Sequence, residues 1–509
     1  MHLLTILAFA CLFWQAEQSG EWVLVAADDV WWTLIVVIAQ PILLGLAGAV
    51  VTRKALGLFL THADNPEIAQ HFHHRSALFL RTAAVAGFAI SVFLTRWPEW
   101  FAFGQITPAL QILGDLIVVA AYSANMLVLW ITAYPMERTA HREAIQYSTG
   151  GESSEGSGWR FGSYIDFHVR HYLLIVAVPM LVILFVANMT RGYSSQLQEW
   201  GGWSWTPETI LGAVAFGVFI LAPAVLRRVW RTKPLEAGAV RAQLEAACER
   251  IGLRCREILL WDSHGLMINA AVMGVVSRLR YVLLSDALVA TMDAKQIESV
   301  FGHEAGHVRH RHIQYFLLFA YVGWLVVAGV MELVAHALGG SDAVEGMTLL
   351  AVEGIGVLVT AGIWWAGFGW LSRRFERQAD LAGAHCVTPP ADQCSVPCSV
   401  HPDKRTSTGG NGRLCATGAA VFASALDRVA LLNGIPHEEH SWRHSSIGSR
   451  IRFLASAAGD PELTRCFERT IRRVKSALLI TAVVGSVISA YYWMTIAEPA
   501  ILQLQAGVP

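Results

Sequence analysis

Charge is what this chain is short of. Asp, Glu, Lys and Arg make up 15% of its 509 residues, against about 25% in an ordinary soluble domain. Set beside a hydrophobic share of 54%, that deficit excludes a typical water-soluble globule and points to a membrane protein. A surplus of either sign is missing too. The formal net charge is −1, so no global field draws the chain to nucleic acid. No basic residue precedes the apolar stretch 2–14, which argues against a signal peptide. That stretch is read as a first span. No internal repeat is found, which argues against a solenoid or array.

Long apolar runs are what the chain has instead. They lie at 32–51, 76–95, 108–134, 172–190, 209–226, 313–337, 347–371 and 477–497, each near the roughly 20 residues that cross a bilayer as a helix. With 2–14 they predict an α-helical multi-span membrane protein of about eight or nine crossings. Nineteen tryptophans suit the lipid–water boundary. Lys and Arg crowd alternate loops: Arg53, Lys54 and Arg75; Arg138, Arg142, Arg160 and Arg170; Arg227, Arg228, Arg231 and Lys233; Arg373, Arg374 and Arg377; Arg472, Arg473 and Lys475. The loops between them are acidic or nearly neutral. The positive-inside bias then predicts a multi-pass protein of the cell inner membrane, with 229–312 in the cytoplasm.

Five segments follow from these shifts in composition. Residues 1–228 are spans with short loops. Residues 229–312 are polar, with mixed helix and strand patterns. Residues 313–371 hold two spans, 372–475 return to polar, helix-rich sequence, and 476–509 hold a last span. Within 229–312, "LEAGAVRAQLEAACERIGL" has helical apolar spacing. "REILLWDS", "INAAVMGVV" and "RYVLLSDALV" read as short strands. "MDAKQIESVFGHEAGHVRH" reads as a helix, with Asp293 placed to cap it and Gln296 three residues on.

That last helix carries the chemistry. His303-Glu304-Ala305-Gly306-His307 fits H-E-x-x-H. At i and i+4 two imidazoles share a helix face and can converge on one ion, with the glutamate beside them as general base. Zinc suits nitrogen ligands in tetrahedral geometry, and a catalytic zinc needs a third protein ligand. "RRFERQADLAGAH" at 373–385 offers Glu376 and Asp380, again at i and i+4. One carboxylate could bind the metal and the other could hold the far N–H of a ligand histidine. The alternative is a surface pair of carboxylates salted to Arg373, Arg374 and Arg377.

H-E-x-x-H just before two spans and E-x-x-x-D just after them resembles the membrane gluzincin metallopeptidases, the CAAX prenyl endoprotease and its HtpX-type relatives. "NAAVMG" (269–274) is similar to the family's edge strand, and "HSSIGSRIRFL" (444–454) to its late histidine–arginine motif. The resemblance covers roughly 235–455. It implies a cytoplasmic α+β metalloprotease domain split by two spans. It also implies that His303, His307 and Glu376 bind zinc, that Glu304 is the catalytic base, and that Asp380 supports a ligand histidine. His444 would stabilise an oxyanion, Arg450 would support the site, and Asn269 and Ala270 would receive substrate backbone. The implied activity is zinc-dependent endopeptidase action on membrane-associated or misfolded proteins. Its substrates would be membrane proteins or peptides beside the lipid bilayer. Ser445 stands where many relatives carry proline.

Cys386, Cys394, Cys398 and Cys415 fall in a Pro/Gly/Ser-rich insert without zinc-knuckle spacing. A second, structural zinc there competes with free thiols on a loop, the favoured reading. His310 and His312 are read as interfacial residues and not ligands. Asp115, Glu332 and Glu353 lie inside spans, where an acid is functional by default unless interfacial water reaches it. Three rival functions remain: an intramembrane site-two protease, a non-catalytic metal-binding receptor or scaffold, and a protease restricted to prenylated proteins. The first needs an L-D-G ligand context, and the chain has none.

Overall fold

The computed structural model describes residues 2–15, 29–62, 65–148, 160–265, 267–337, 355–390 apart from 357, 393–394, 400, 414–492 apart from 434 and 441, and 494–495. The chain opens with helices α1 (His2–Gln15), α2 (Val30–Thr61), α3 (Glu67–Phe93), α4 (Gln111–Ser148) and α5 (Phe161–His168). A π turn, Val169–Leu174, runs into α6 (Ile175–Gly192), and α7 (Ser194–Gly201) and α8 (Thr206–Val229) follow. Seven described helices are long and apolar enough to cross a membrane. They cover the expected runs from 32–51 to 313–337 and the one at 477–497, so the chain is a multi-span integral membrane protein. The expected first span, 2–14, is the helix α1. α1 has 14 residues, about 21 Å of helix. It packs Ala8, Phe9 and Leu12 among α3, α4 and α6. Trp31, Trp200, Trp203 and Trp205 are exposed beside the ends of α2 and α8, as an interfacial belt requires.

Asp115 is a satisfied structural acid: Asn188 Nδ2 and Gln111 Nε2 donate to it at 2.7 and 3.1 Å. Tyr492 donates to Glu332. Glu353 lies outside the described residues.

The polar segment builds a four-stranded sheet in the order β1-β2-β4-β3, from β1 (Thr232–Pro234), β2 (Glu257–Trp261), β3 (Ala270–Met273) and β4 (Tyr281–Ser285). β2 and β4 run parallel, and the outer pairings are antiparallel. β4 is buried at every position. α9 (Ala239–Ile251) separates β1 from β2. The expected third strand ends early. Ser285 caps the short helix α10 (Asp286–Thr291), so "DALV" is helical.

Alternation along the strands splits the sheet into two faces. Ile258, Val282 and Leu284 join a core shared with the helices that follow. Leu259, Trp261, Tyr281 and Leu283 turn the other way and meet Phe167. There Trp261 stacks on His171 at 5.2 Å and on Trp230 at 5.0 Å. This aromatic layer docks the sheet on the membrane region.

Six further helices follow among the described residues: α11 (Ala294–Arg309), α12 (His312–Ala337), α13 (Gly369–Cys386), α14 (Ala416–Leu432), α15 (Ile447–Gly459) and the long α16 (Pro461–Tyr492). Part of the expected span 347–371 lies outside the described residues. From 358 the helix runs through the π turn Ile363–Phe368 into α13 without a break.

Candidate metal centre

α11 begins as expected. Asp293 accepts from the Gln296 amide at 2.9 Å and the Gln296 side chain answers at 3.3 Å, a complete capping box. Glu298, buried in the first half of the helix, takes Gln243, Arg250 and Lys295 as partners and ties α9 to α11. The helix is thereby fixed at its start, and His303 and His307 emerge on one face toward α13.

α11 and α13 cross closely because glycines line the seam. A Cβ at Gly302 would stand 2.4 Å from Cys386 Cβ, one at Gly306 2.7 Å from Ala382 Cβ, and one at Gly383 2.8 Å from the Ser299 carbonyl oxygen. This approach brings Glu376 onto the histidines. His303 Nε2 and His307 Nε2 are 3.3 Å apart. Glu376 Oε2 is 3.6 Å from the first and Oε1 3.7 Å from the second. The three donor atoms lie within 4.8 Å of one another, the one such group among the described residues. Two imidazoles and a carboxylate converging this way fit zinc.

Asp380 Oδ1 lies 3.0 Å from His303 Nδ1, and Arg450 donates to the same carboxylate through Nε at 2.9 Å and through Nη2. Glu376 and Asp380 are 6% and 0% exposed, so they are not a surface pair. The neighbouring arginines look elsewhere. Arg373 donates to the Trp442 carbonyl at 2.8 Å, Arg374 covers the Trp370 ring, and Arg377 reaches Ser449. Burial opposes ionisation of Glu376, but the adjacent His444 and His303 hold its carboxyl below the usual range. Burial likewise opposes ionisation of Asp380, and Arg450 overrides it. His303 is pushed down by burial, yet Asp380 raises it on balance. His307 falls to about 3 through burial and its neighbour His303. A neutral imidazole is the metal-binding form.

Glu304 lies on the same helix, with its pKa raised by burial. The Val272 backbone of β3 lies beside it and offsets part of that rise. Ser285 N donates to the Asn269 carbonyl at 3.0 Å. In the alternating antiparallel pattern, the backbone groups of Asn269 therefore face β4, whereas those of Ala270 and Val272 face the open edge. Of the expected substrate-binding pair, Ala270 turns its backbone groups outward, as Val272 does, and Asn269 turns them toward β4.

His444 Nδ1 lies 3.1 Å from Glu376 Oε1, with its side chain 47% exposed. Ser445 follows at φ 63°, a value closed to proline, whose ring holds φ near −65°. Ser446 then caps α15, which carries Arg450. Ser445 therefore makes a turn into α15 that proline could not make. His444 and Arg450 also border a cavity of about 660 Å³ whose other wall is α3 and α4, with His71, His73, His74 and His141.

Two residues of the site escaped the spacing argument. His312 is fully buried, against the interfacial reading, and its Nδ1 lies 2.9 Å from His307 Nδ1. A continuous helix would turn residue i+5 away. Arg311, at φ 57°, breaks the helix and folds His312 back. Gln378 Oε1 in turn lies 3.0 Å from His312 Nε2. In the insert, Cys394 and Cys415 are 3.7 Å apart, Cys386 packs with the α11 core, and Cys398 lies outside the described residues. Among the described residues the cysteines form no group able to hold a second zinc.

Residues 234–455 match the family model of Peptidase family M48, nearly the stretch the motifs span and somewhat less than half of the chain. Two curated relatives are each called Protease HtpX homolog. The one from Pyrobaculum calidifontis is 32% identical over 129 residues, and the one from Pyrobaculum aerophilum 31% over 129. Each alignment covers 25% of this chain and 37% of the relative, so the chain spans little more than a third of their length. The crystal structure of S. mikatae Ste24p aligns with a TM-score of 0.48 at 12% identity, over 83% of this chain and 99% of that one.

Proposed function

We propose that this chain, a multi-span membrane protein with a Peptidase family M48 domain at 234–455, is a zinc-dependent endopeptidase. Its substrates would be membrane-associated or misfolded proteins. The observation that carries this reading is the convergence of His303, His307 and Glu376 beside Glu304 and an open strand edge. When bound, zinc supplies Lewis acidity, polarising the scissile carbonyl and making the attacking water more acidic.

The chain's own residues supply the rest. Glu304 takes a proton from the water and returns it to the leaving amine. Burial raises its pKa, which brings it nearer the working range of a general base. Substrate backbone adds to the outward groups of Ala270 and Val272, a mode that gives affinity with loose sequence demands. His444, at the cavity mouth, donates to the oxygen that becomes negative. Arg450 and Asp380 hold His303 in place. A receptor or scaffold has no need of a glutamate so placed. The basic loops put the catalytic domain on the cytoplasmic side of the inner membrane, and the five segments of the sequence reading describe the division of labour.

The test is proteolysis in detergent. Purified protein should cleave casein or an unfolded membrane protein, and a zinc chelator should abolish the cleavage. Cleavage indifferent to the chelator would refute the reading.

A further inference from the structure

α16 is the element with no evident part in catalysis, yet its polar first half reaches the metal centre. Gln378 links the two. The Gln378 side-chain nitrogen donates to Glu468 Oε2 at 2.7 Å, and its oxygen accepts from Lys475 Nζ at 3.2 Å. Lys475 also donates to the His310 carbonyl at 2.8 Å. A carboxylate only accepts and an ammonium only donates, so the amide has one orientation. The reverse would set its oxygen against Glu468 and its NH2 against Lys475.

The consequence runs toward the metal. Gln378 Oε1 faces His312 Nε2 at 3.0 Å, so that nitrogen must carry the proton. His312 Nδ1 is then the acceptor, and the His307 Nδ1 beside it at 2.9 Å must donate. His307 Nε2, turned toward His303 and Glu376, is left with its lone pair free for an ion. His312 is itself held face to face on Phe375, centroids 4.2 Å apart and planes within 5°. Gln378 is 2% exposed, so water does not compete for the amide.

We infer that Glu468 and Lys475 of α16, acting through Gln378 and His312, fix the tautomer of His307 and make the last helix a supporting part of the metal site. These four are positioning residues, and the inference rests on the zinc reading above. It explains why a helix follows all the motifs: the chain must return to orient Gln378.

The test is zinc affinity of the full-length protein in detergent, measured by chelator competition, with thermal midpoints of the metal-free forms alongside. His312→Phe keeps the ring stack and Gln378→Leu keeps the bulk. Each should weaken zinc binding about 10- to 100-fold, the usual cost of losing such a partner, with the metal-free midpoint near the parent's. Glu468→Ala and Lys475→Met should weaken it several-fold, and Glu468→Gln, which can still accept, should restore it. In protein with nitrogen-labelled histidine, the His307 Nδ1–H signature should be uniform in the parent and mixed in Gln378→Leu. If either buried variant fails to fold, Glu468→Ala and Lys475→Met decide the matter. Parental affinity in all four, while His303→Ala loses zinc, would overturn the inference and leave the peptidase reading standing. If His303→Ala also keeps zinc, both fall.

Discussion

The seam between α11 and α13 brings the candidate metal ligands together, and Gly383→Ala probes it. The added Cβ would meet the Ser299 carbonyl oxygen at 2.8 Å, the His303 nitrogen at 3.2 Å and Phe422 Cε2 at 3.2 Å. Two of these are backbone atoms of α11 and cannot swing aside. Ordinary contact begins near 3.4 Å, so α11 must retreat by about 0.6 Å, well outside the roughly 0.2 Å tolerance of a metal site. Overpacking of this kind costs about 1–3 kcal/mol, and exchanging a helical glycine for alanine returns up to about 1 kcal/mol. The protein should therefore fold with its midpoint unchanged or a few degrees lower, while zinc affinity drops at least about tenfold. Gly217→Ala on α8, with nothing within 4 Å of the new carbon, is the matched control. Chelator competition and thermal unfolding of both variants decide it. Parental zinc affinity in Gly383→Ala would show that the seam does not set the site.

Three further outcomes are expected. Glu304→Gln should retain zinc and lose roughly 10²–10⁴-fold in turnover; a near-normal rate would place the base elsewhere. His444→Ala should cost roughly 10²–10³-fold in kcat, as loss of an oxyanion donor does, while His440→Ala behaves like the parent; exchanged behaviour would show the motif to be shifted. Cys466, exposed on the polar half of α16, should resist an impermeant maleimide on intact cells and react after permeabilisation, read by peptide mapping. Ready labelling from outside would invert the proposed topology.

What could be read from the sequence was what local periodicity controls. The pair His303 and His307, the pair Glu376 and Asp380, and the cap at Asp293 each depend on helical spacing over four residues or fewer. Strand existence was legible for β2, β3 and β4, whereas Thr232–Pro234 is too short to show a pattern. Where the chain leaves regular geometry, the reading failed. Arg311 at positive φ decides the place of His312, and no spacing rule sees it. α16 was visible only in its apolar half, because the polar residues that reach Gln378 carry no membrane signal. That Val272 and not Asn269 turns its backbone outward follows from strand register, which pairing with β4 fixes and sequence does not.

The unbroken helix from residue 358 into α13 has a last consequence. Glu376 lies five residues past Leu371, where the apolar run ends, or about 8 Å along the axis. Under the proposed function, with the expected span 347–371 in the bilayer, this helix would be a rod that holds the candidate metal ligands at a set height above the membrane. So held, the site would neither rise to meet a bond far out in solution nor sink to one in the hydrocarbon. Under the proposed function the rod acts as a ruler. Bonds are chosen by their depth relative to the membrane more than by the residues that flank them, and moving a susceptible sequence a few residues along a tethered substrate should matter more than rewriting it.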